Sequence, residues 1–182
     1  IGDLASQLVG WFEDKREMFD HFVALVRRLE VARRIDVKIE PVDAREGSDA
    51  DVAAWATLSF DGVDFGLLSD GTLRLTEILL GFINPKISVL ILEEPETGLH
   101  PGLLHRLLAE VDAHTLDRQV ILSTHSPLVV DWAKPSEIRL VERREGKTTV
   151  HGLGSEEKES VKRYLNDDYG LSDYIYSSEE PQ

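Results

Sequence analysis

Three short segments concentrate the residue types that do chemistry. The first is ILEEPETGLHP at 91–101, where Glu93 and Glu94 end an apolar run of strand length and a proline forbids its continuation. Two carboxylates at the end of a buried strand can hold Mg2+, directly or through its waters, while the neighbour polarises an attacking water. The plainer alternative is a solvated strand end with an acidic loop. The second segment is ILSTHSP at 121–127, which puts Ser123, Thr124, His125 and Ser126 at the end of another apolar run. A histidine there can donate a hydrogen bond to a terminal phosphate or sense its loss. The hydroxyls would equally serve to end the strand and cap a short helix. The third is LLSDGTLRL at 67–75, a polar loop that opens a helix. It leaves the Ser69 hydroxyl, the Gly71 N–H and the helix-start amides open to an anion, although Ser-Asp-Gly is also ordinary turn and N-cap sequence.

The elements that must position these segments follow from periodicity. Met18, Phe19, Phe22, Val23, Val26 and Leu29 recur at helical spacing, predicting an amphipathic helix over 15–33, with a shorter helical turn around Leu4, Leu8 and Phe12 before it. Ile35, Val37 and Ile39 alternate with charged residues as in a half-exposed strand that Pro41 ends. The stretch 43–51 reads as a loop, 52–60 as a second strand, and Asp61-Gly62 as a hairpin turn. After the Leu67–Gly71 loop, a helix runs to about Ile83 with Leu75, Ile78, Leu79 and Phe82 on one face, and Asn84-Pro85 stops it. ISVLIL at 87–92 has no polar alternation, so a strand buried on both faces is expected, the habit of a central parallel sheet. Leu103, Leu104, Leu107, Leu108 and Val111 predict the next helix, and VILS at 120–123 a second apolar strand. Strand, helix and strand make a βαβ unit with a right-handed crossover. The fold class is therefore α/β with a parallel core and flanking helices. The carboxyl ends of its strands form the ligand crevice, and Glu93, Glu94 and His125 all fall there. EIRLVE (137–142) and KTTVHG (147–152) predict a hairpin around Glu145-Gly146, followed by a polar helix at 155–165 and a frayed acidic tail at 177–182.

Composition narrows the class. With 182 residues, 42% hydrophobic and 30% charged, the chain suits one soluble globular domain. It contains no cysteine, which excludes disulfides, thiolate metal sites and a thiol nucleophile. No apolar run approaches the roughly 20 residues that span a bilayer, and a cytoplasmic location is expected. The chain starts at Ile1 with an amphipathic pattern already under way, and reads as a piece of a longer protein. Its net charge of −14 repels duplex DNA. Arg27, Arg28, Arg33 and Arg34 form the one notable basic cluster and read as a solvated helix face, so this segment is not the expected DNA contact surface.

Taken in order, polar loop, helix, acidic strand end, helix and His-bearing strand end, the chain resembles the C-terminal half of the ABC ATPase fold, a branch of the P-loop NTPases. LSDGT (68–72) looks like the signature loop, VLILEE (89–94) like the Walker B strand, ETGLHP (96–101) like the D-loop and His125 in STHSP like the switch histidine. The wording SDGT, EEPETGLHP and STHSP is similar to that of RecF-like and OLD-like AAA/ABC ATPases of bacteria, which often belong to DNA repair or phage-defence systems. The resemblance covers residues 60–130 tightly and the flanking strands more loosely. It implies an ATPase using ATP and Mg2+, with Glu93 at the metal-supporting carboxylate, normally an Asp, and Glu94 as the catalytic base. His125 would contact the γ-phosphate, and Ser69, Asp70, Gly71 and Thr72 would meet a nucleotide held by the opposite subunit. Thr72 stands where many transporters have Gln, and His100 where a D-loop Asp is common.

No GxxxxGK(S/T) occurs in the chain, so the resemblance implies a missing N-terminal Walker A half, with residues 1–34 the end of a helical insertion, 35–152 the C-terminal lobe and 153–182 a terminal helix and tail. It further implies a dimer with ATP at the interface, a nuclease or effector module in the parent or recruited to it, and little turnover by the isolated chain. Two rivals come from other classes. One is a degenerate lobe that binds a partner and hydrolyses nothing. The other is a metal-dependent nuclease or phosphoesterase built on Glu93, Glu94, Glu96 and His100.

Overall fold

A computed structural model describes residues 2–41, 54–114, 118–154 and 170–177. The predicted loop at 43–51, the start of the strand at 52–53, the helix at 155–165 and the tail beyond Ser177 lie outside these residues. The chain forms two units, Ile1–Ile121 and Leu122–Gln182.

The first unit begins with α1 (Gly2–Asp14) and α2 (Arg16–Arg28). The segment around Leu4, Leu8 and Phe12 is thus a full 13-residue helix rather than a turn. Phe19, Phe22, Leu25 and Val26 form the buried face of α2. The helix closes where Glu30 adopts φ 58° and Val31 N–H donates to the Val26 carbonyl at 3.1 Å, a left-handed helix end. β1 (Ile35–Pro41), β2 (Ala54–Phe60) and β3 (Val63–Asp64) then make an antiparallel meander in which Ile35 faces Phe60 and Phe60 faces Val63. Asp61 (φ 49°) and Gly62 (φ 84°) form the expected tight turn. The Asp61 carboxylate accepts the backbone N–H groups of Arg33 and Arg34 at 3.0 and 2.8 Å. Those bonds, with the two guanidiniums nearby, hold its carboxyl below the usual carboxylate range.

A 3-10 turn at Phe65–Leu67 stacks Phe65 on Phe60 at 5.6 Å, and Phe60 in turn meets Phe22 at 6.2 Å. α3 (Asp70–Ile83) follows at the centre of the unit, and ten of its 14 residues are buried, more than the single apolar face its periodicity predicts. A helix enclosed nearly all round is a core element. β4 (Val89–Glu93), α4 (Pro101–His114) and β5 (Gln119–Ser123) supply the predicted βαβ unit. β5 lies parallel to β4 and is joined to its start by Gln119 N–H donating to the Ser88 carbonyl at 3.0 Å.

One expectation is corrected here. β4 is not buried on both faces, because Leu92 is 5% exposed while Val89 and Ile91 are 46% and 73% exposed, and Ile121 of β5 is 46% exposed. Successive strand residues point to opposite faces. The Leu90/Leu92 face meets α3, where Leu90 packs against Gly81. Among the described residues, no element covers the Val89/Ile91 face.

In the second unit, α5 (Pro127–Trp132) precedes the hairpin of β6 (Arg139–Arg144) and β7 (Lys147–Gly152). Glu145 (φ 50°) and Gly146 (φ 78°) turn it, as their sequence predicts. A short helix α6 (Leu171–Ser177), which periodicity did not reveal, closes a core of Leu153, Leu171 and Ile175 with Val130, Ile138 and Leu140 against it. Ser172 N–H donates to Asp131 at 2.7 Å and anchors the start of that helix.

Candidate functional site

β4 carries its two carboxylates out of the sheet and changes direction between them. Glu93 is its last residue, and Glu94 takes φ 42°. Left-handed backbone costs a non-glycine residue about 1–2 kcal/mol. Position 94 also precedes Pro95, which pushes a residue toward extended backbone. Asp61 and Glu145, also left-handed, are each relieved by a following glycine in a hairpin turn, a help Glu94 lacks.

Several bonds hold the bend. Thr97 N–H donates to the Glu94 carbonyl at 3.0 Å, Leu99 N–H to the Glu96 carbonyl at 3.0 Å, and Thr97 Oγ1 to Glu94 Oε2 at 3.3 Å. Pro95 is buried beneath the loop, while both Glu93 and Glu94 are exposed to solvent. From α3, Arg74 Nη2 donates to the Glu93 carbonyl at 2.6 Å.

The loop reaches α4 through His100. Its carbonyl accepts Leu103 and Leu104 N–H at 2.9 and 3.0 Å, and its Nδ1 accepts Gly102 N–H at 3.1 Å. His100 is therefore the N-cap of α4, with Pro101 first in the helix, where a missing N–H costs nothing. Because Nδ1 accepts, a neutral ring carries its proton on Nε2.

The start of α3 is built in the same way. Ser69 is its N-cap, with Oγ accepting Thr72 N–H at 3.2 Å and lying 2.9 Å from Thr72 Oγ1. Asp70 follows in the first turn, where a carboxylate complements the helix dipole. The Ser69 hydroxyl expected to be open to an anion is thus engaged in the cap. Gly71 is buried, and the reason is a main-chain contact. A Cβ on it would lie 2.1 Å from the Gly98 carbonyl oxygen, and one on Gly98 (φ 75°) would lie 3.3 Å from the Gly71 Cα. Two glycines back to back thus press the start of α3 against the loop that follows Glu94.

The first unit thereby gathers Ser69, Asp70, Gly71, Thr72, Glu93, Glu94 and His100 onto two segments packed at Gly71–Gly98 and bonded at Arg74–Glu93. His125 lies in the second unit, exposed between β5 and α5, where Thr124 Oγ1 accepts Ser126 N–H at 2.9 Å. Gly98 and Arg74 carry structural roles that motif reading missed. Gly98 stands within TGLHP, where a glycine after a turn-forming Thr was a usable signal; Arg74 left none. Among the described residues, no three His, Asp or Glu side chains converge as a metal cage. No helix among the described residues is long and apolar enough to cross a membrane.

Comparison with known proteins places this geometry in a family. Residues 20–131, more than half of the chain, match the family described as "AAA domain, putative AbiEii toxin, Type IV TA system". An OLD nuclease of Thermus scotoductus is 35% identical over 88 residues, covering 46% of this chain. The aligned part is 16% of that protein's length, so the chain answers to a small part of this relative. Solved structures agree on the fold. The Smc head domain of Pyrococcus furiosus, with an extended coiled coil and bound to the C-terminal domain of ScpA, superposes with a TM-score of 0.59 at 13% identity, over 88% of this chain and 40% of that one. The Smc head of Pyrococcus yayanosii, with a coiled coil and joint, gives 0.54 at 15% identity, over 82% and 29%. An SMC ATPase chain studied for ATP-driven dimerization and DNA-stimulated activation gives 0.53 at 15% identity, over 82% and 91%. The chain belongs to this AAA domain family, with the α/β fold of the SMC head structures.

Proposed function

We propose that this chain is the C-terminal half of an ABC-type ATPase head that hydrolyses ATP in a dimer. It supplies the signature loop at Ser69–Thr72, the carboxylates Glu93 and Glu94, the D-loop ending at His100, and His125. In this reading residues 1–34 end an insertion, 35–152 form the lobe and 153–182 a terminal segment. The observation that carries it is the pairing of a strained Glu94 backbone at the carboxyl end of β4 with the capped start of α3, pressed together at Gly71 and Gly98. Strain held in place by surrounding contacts clusters at catalytic positions.

In this reading Glu94 takes the proton of the attacking water, and His125, matched to the switch histidine by its sequence, donates to the γ-phosphate. Ser69 and Gly71 receive the nucleotide held by a second copy. A hydroxyl that caps its own helix still keeps a donor for a phosphate oxygen. The Glu93 carboxylate, a hard oxygen donor with no bonded partner among the described residues, suits Mg2+. When bound, the ion neutralises charge developing on the transferred phosphoryl group.

The partners follow from the same reading. A Walker A half cradles the α- and β-phosphates, which no GxxxxGK(S/T) of this chain can do. The exposed Val89, Ile91 and Ile121 face offers that half an apolar seat. The relative named an OLD nuclease fits a parent that carries or recruits a nuclease module, and this reading places the protein in DNA repair or phage defence in the cytoplasm.

The decisive experiment is Mg-ATP turnover by the complete protein with Glu94→Gln beside wild type. Loss of a general base costs about 100-fold or more in kcat, with ATP binding retained. Equal turnover by both proteins would remove Glu94 from the mechanism, and inertness of both would favour a lobe that only binds partners.

A further inference from the structure

Arg74 is one helical turn beyond the positions proposed to meet nucleotide, and its guanidinium reaches the end of β4. Its Nη2 donates to the Glu93 carbonyl at 2.6 Å, while Nη1 makes only a 3.4 Å contact with the exposed Glu77 carboxylate. The bond to the carbonyl is short, and a charged donor makes it stronger than a neutral one. Its acceptor belongs to the peptide that joins Glu93 to Glu94. That peptide plane sets the φ of Glu94, which sits at 42°. With neither a following glycine nor a helix end to relieve it, this backbone persists only where the surroundings hold it. On the carboxyl side the hold is the Thr97 N–H at 3.0 Å from the Glu94 carbonyl. On the amino side it is Arg74.

We propose that Arg74 is a positioning residue for Glu94: by gripping the Glu93 carbonyl from α3, it fixes the peptide plane from which the general base departs and ties the aim of that carboxylate to the start of α3. The inference rests on the role proposed for Glu94 and adds a residue assigned no contact with the nucleotide or the attacking water. Removing the guanidinium lets the peptide plane turn toward ordinary backbone, and the carboxylate swings with it. Misplacement of a catalytic group by about 1 Å costs up to about 100-fold.

The test is steady-state ATP turnover and ATP binding by the complete protein as wild type, Arg74→Met, Arg74→Lys, Glu94→Gln and the Arg74→Met/Glu94→Gln double variant. Arg74→Met is expected to lower kcat about 10- to 100-fold with KM and ATP binding unchanged. Arg74→Lys recovers part of the loss, because one ammonium donor suffices for one carbonyl. In the Glu94→Gln background, Arg74→Met costs less than about 2-fold more, since residues acting as a unit are not additive.

Three results overturn the proposal while leaving the Glu94 reading intact. They are an Arg74→Met kcat within about 2-fold of wild type, the same fractional loss with and without Glu94, or a raised KM at unchanged kcat, which would make Arg74 a nucleotide contact. If Glu94→Gln turns over like wild type, the base assignment fails and this inference with it. Should Arg74→Met fail to fold, Arg74→Lys and Arg74→Gln decide: recovery by Lys and not by Gln supports the proposal, and equal activity of the two overturns it.

Discussion

Replacing Gly71 by alanine tests the contact on which the site is built. The added Cβ would lie 2.1 Å from the Gly98 carbonyl oxygen and 2.9 Å from its carbon, whereas a relaxed carbon–oxygen contact needs about 3.3 Å. A gap of about 1.2 Å must therefore open between α3 and the loop after Glu94. Both surfaces are main chain, so no side-chain rotation relieves the clash. Overpacking of this kind costs about 1–3 kcal/mol, and a backbone obstacle argues for the upper end. Urea unfolding followed by tryptophan fluorescence, to which buried Trp11 contributes, should then show a midpoint lowered by about 1–1.5 M, at a slope of about 2 kcal/mol/M. Gly10→Ala is the internal control, because nothing lies within 4 Å of a Cβ there. In the middle of α1 it should stabilise by about 0.5–1 kcal/mol. Equal shifts for the two variants, or a change of less than about 0.5 kcal/mol for Gly71→Ala, would refute the argument that the glycine pair is a steric requirement.

Two further predictions concern the joint between α2 and α4. Arg28 Nε and Nη2 donate to Glu110 Oε1 and Oε2 at 2.6 and 2.5 Å, with side chains 59% and 9% exposed. Arg28→Met strands a buried carboxylate and should cost about 2–3 kcal/mol, whereas Glu110→Gln lets the arginine turn to water and should cost about 1. Thermal melts should separate them by several degrees in that order, and the reverse order would overturn the account. Beside this pair, burial lowers the His21 pKa from its ordinary 6.5, helped by the neighbouring His114 and Arg28 and opposed by Glu110. The folded state favours the neutral ring, so His21 contributes stability above pH 6.5 that is lost as pH falls through the lowered folded pKa. His21→Gln should flatten that part of the stability–pH curve between pH 7.5 and the mildly acidic range, and an unchanged curve would exclude His21 as its source.

Local rules reach far along this chain because its local signals agree with its fold. The turns at Asp61-Gly62 and Glu145-Gly146, the stop at Asn84-Pro85 and the βαβ spacing of residues 87–123 depend on backbone preferences within a few residues, and all appear where the residues put them. The acidic pair, the polar loop and the histidine were legible for the same reason, since motif chemistry is written in neighbouring letters. Tertiary packing decided the rest. An apolar strand says that both faces favour burial and not what covers them, so Val89 and Ile91 stand exposed while Leu92 is enclosed. The Ser69 hydroxyl reads as open to an anion, and only its distance to Thr72 shows that it also caps the helix. Gly71 meets Gly98 across 27 positions of sequence, and Arg74 meets the Glu93 carbonyl across 19. Such contacts leave no periodic trace, because they depend on how a helix lies against a strand end. The sequence by itself determined most of the elements and which carboxylates lead the strand. Only the packed structure decided how Glu94 is bent and what holds it, because backbone strain persists only where distant groups over-determine it.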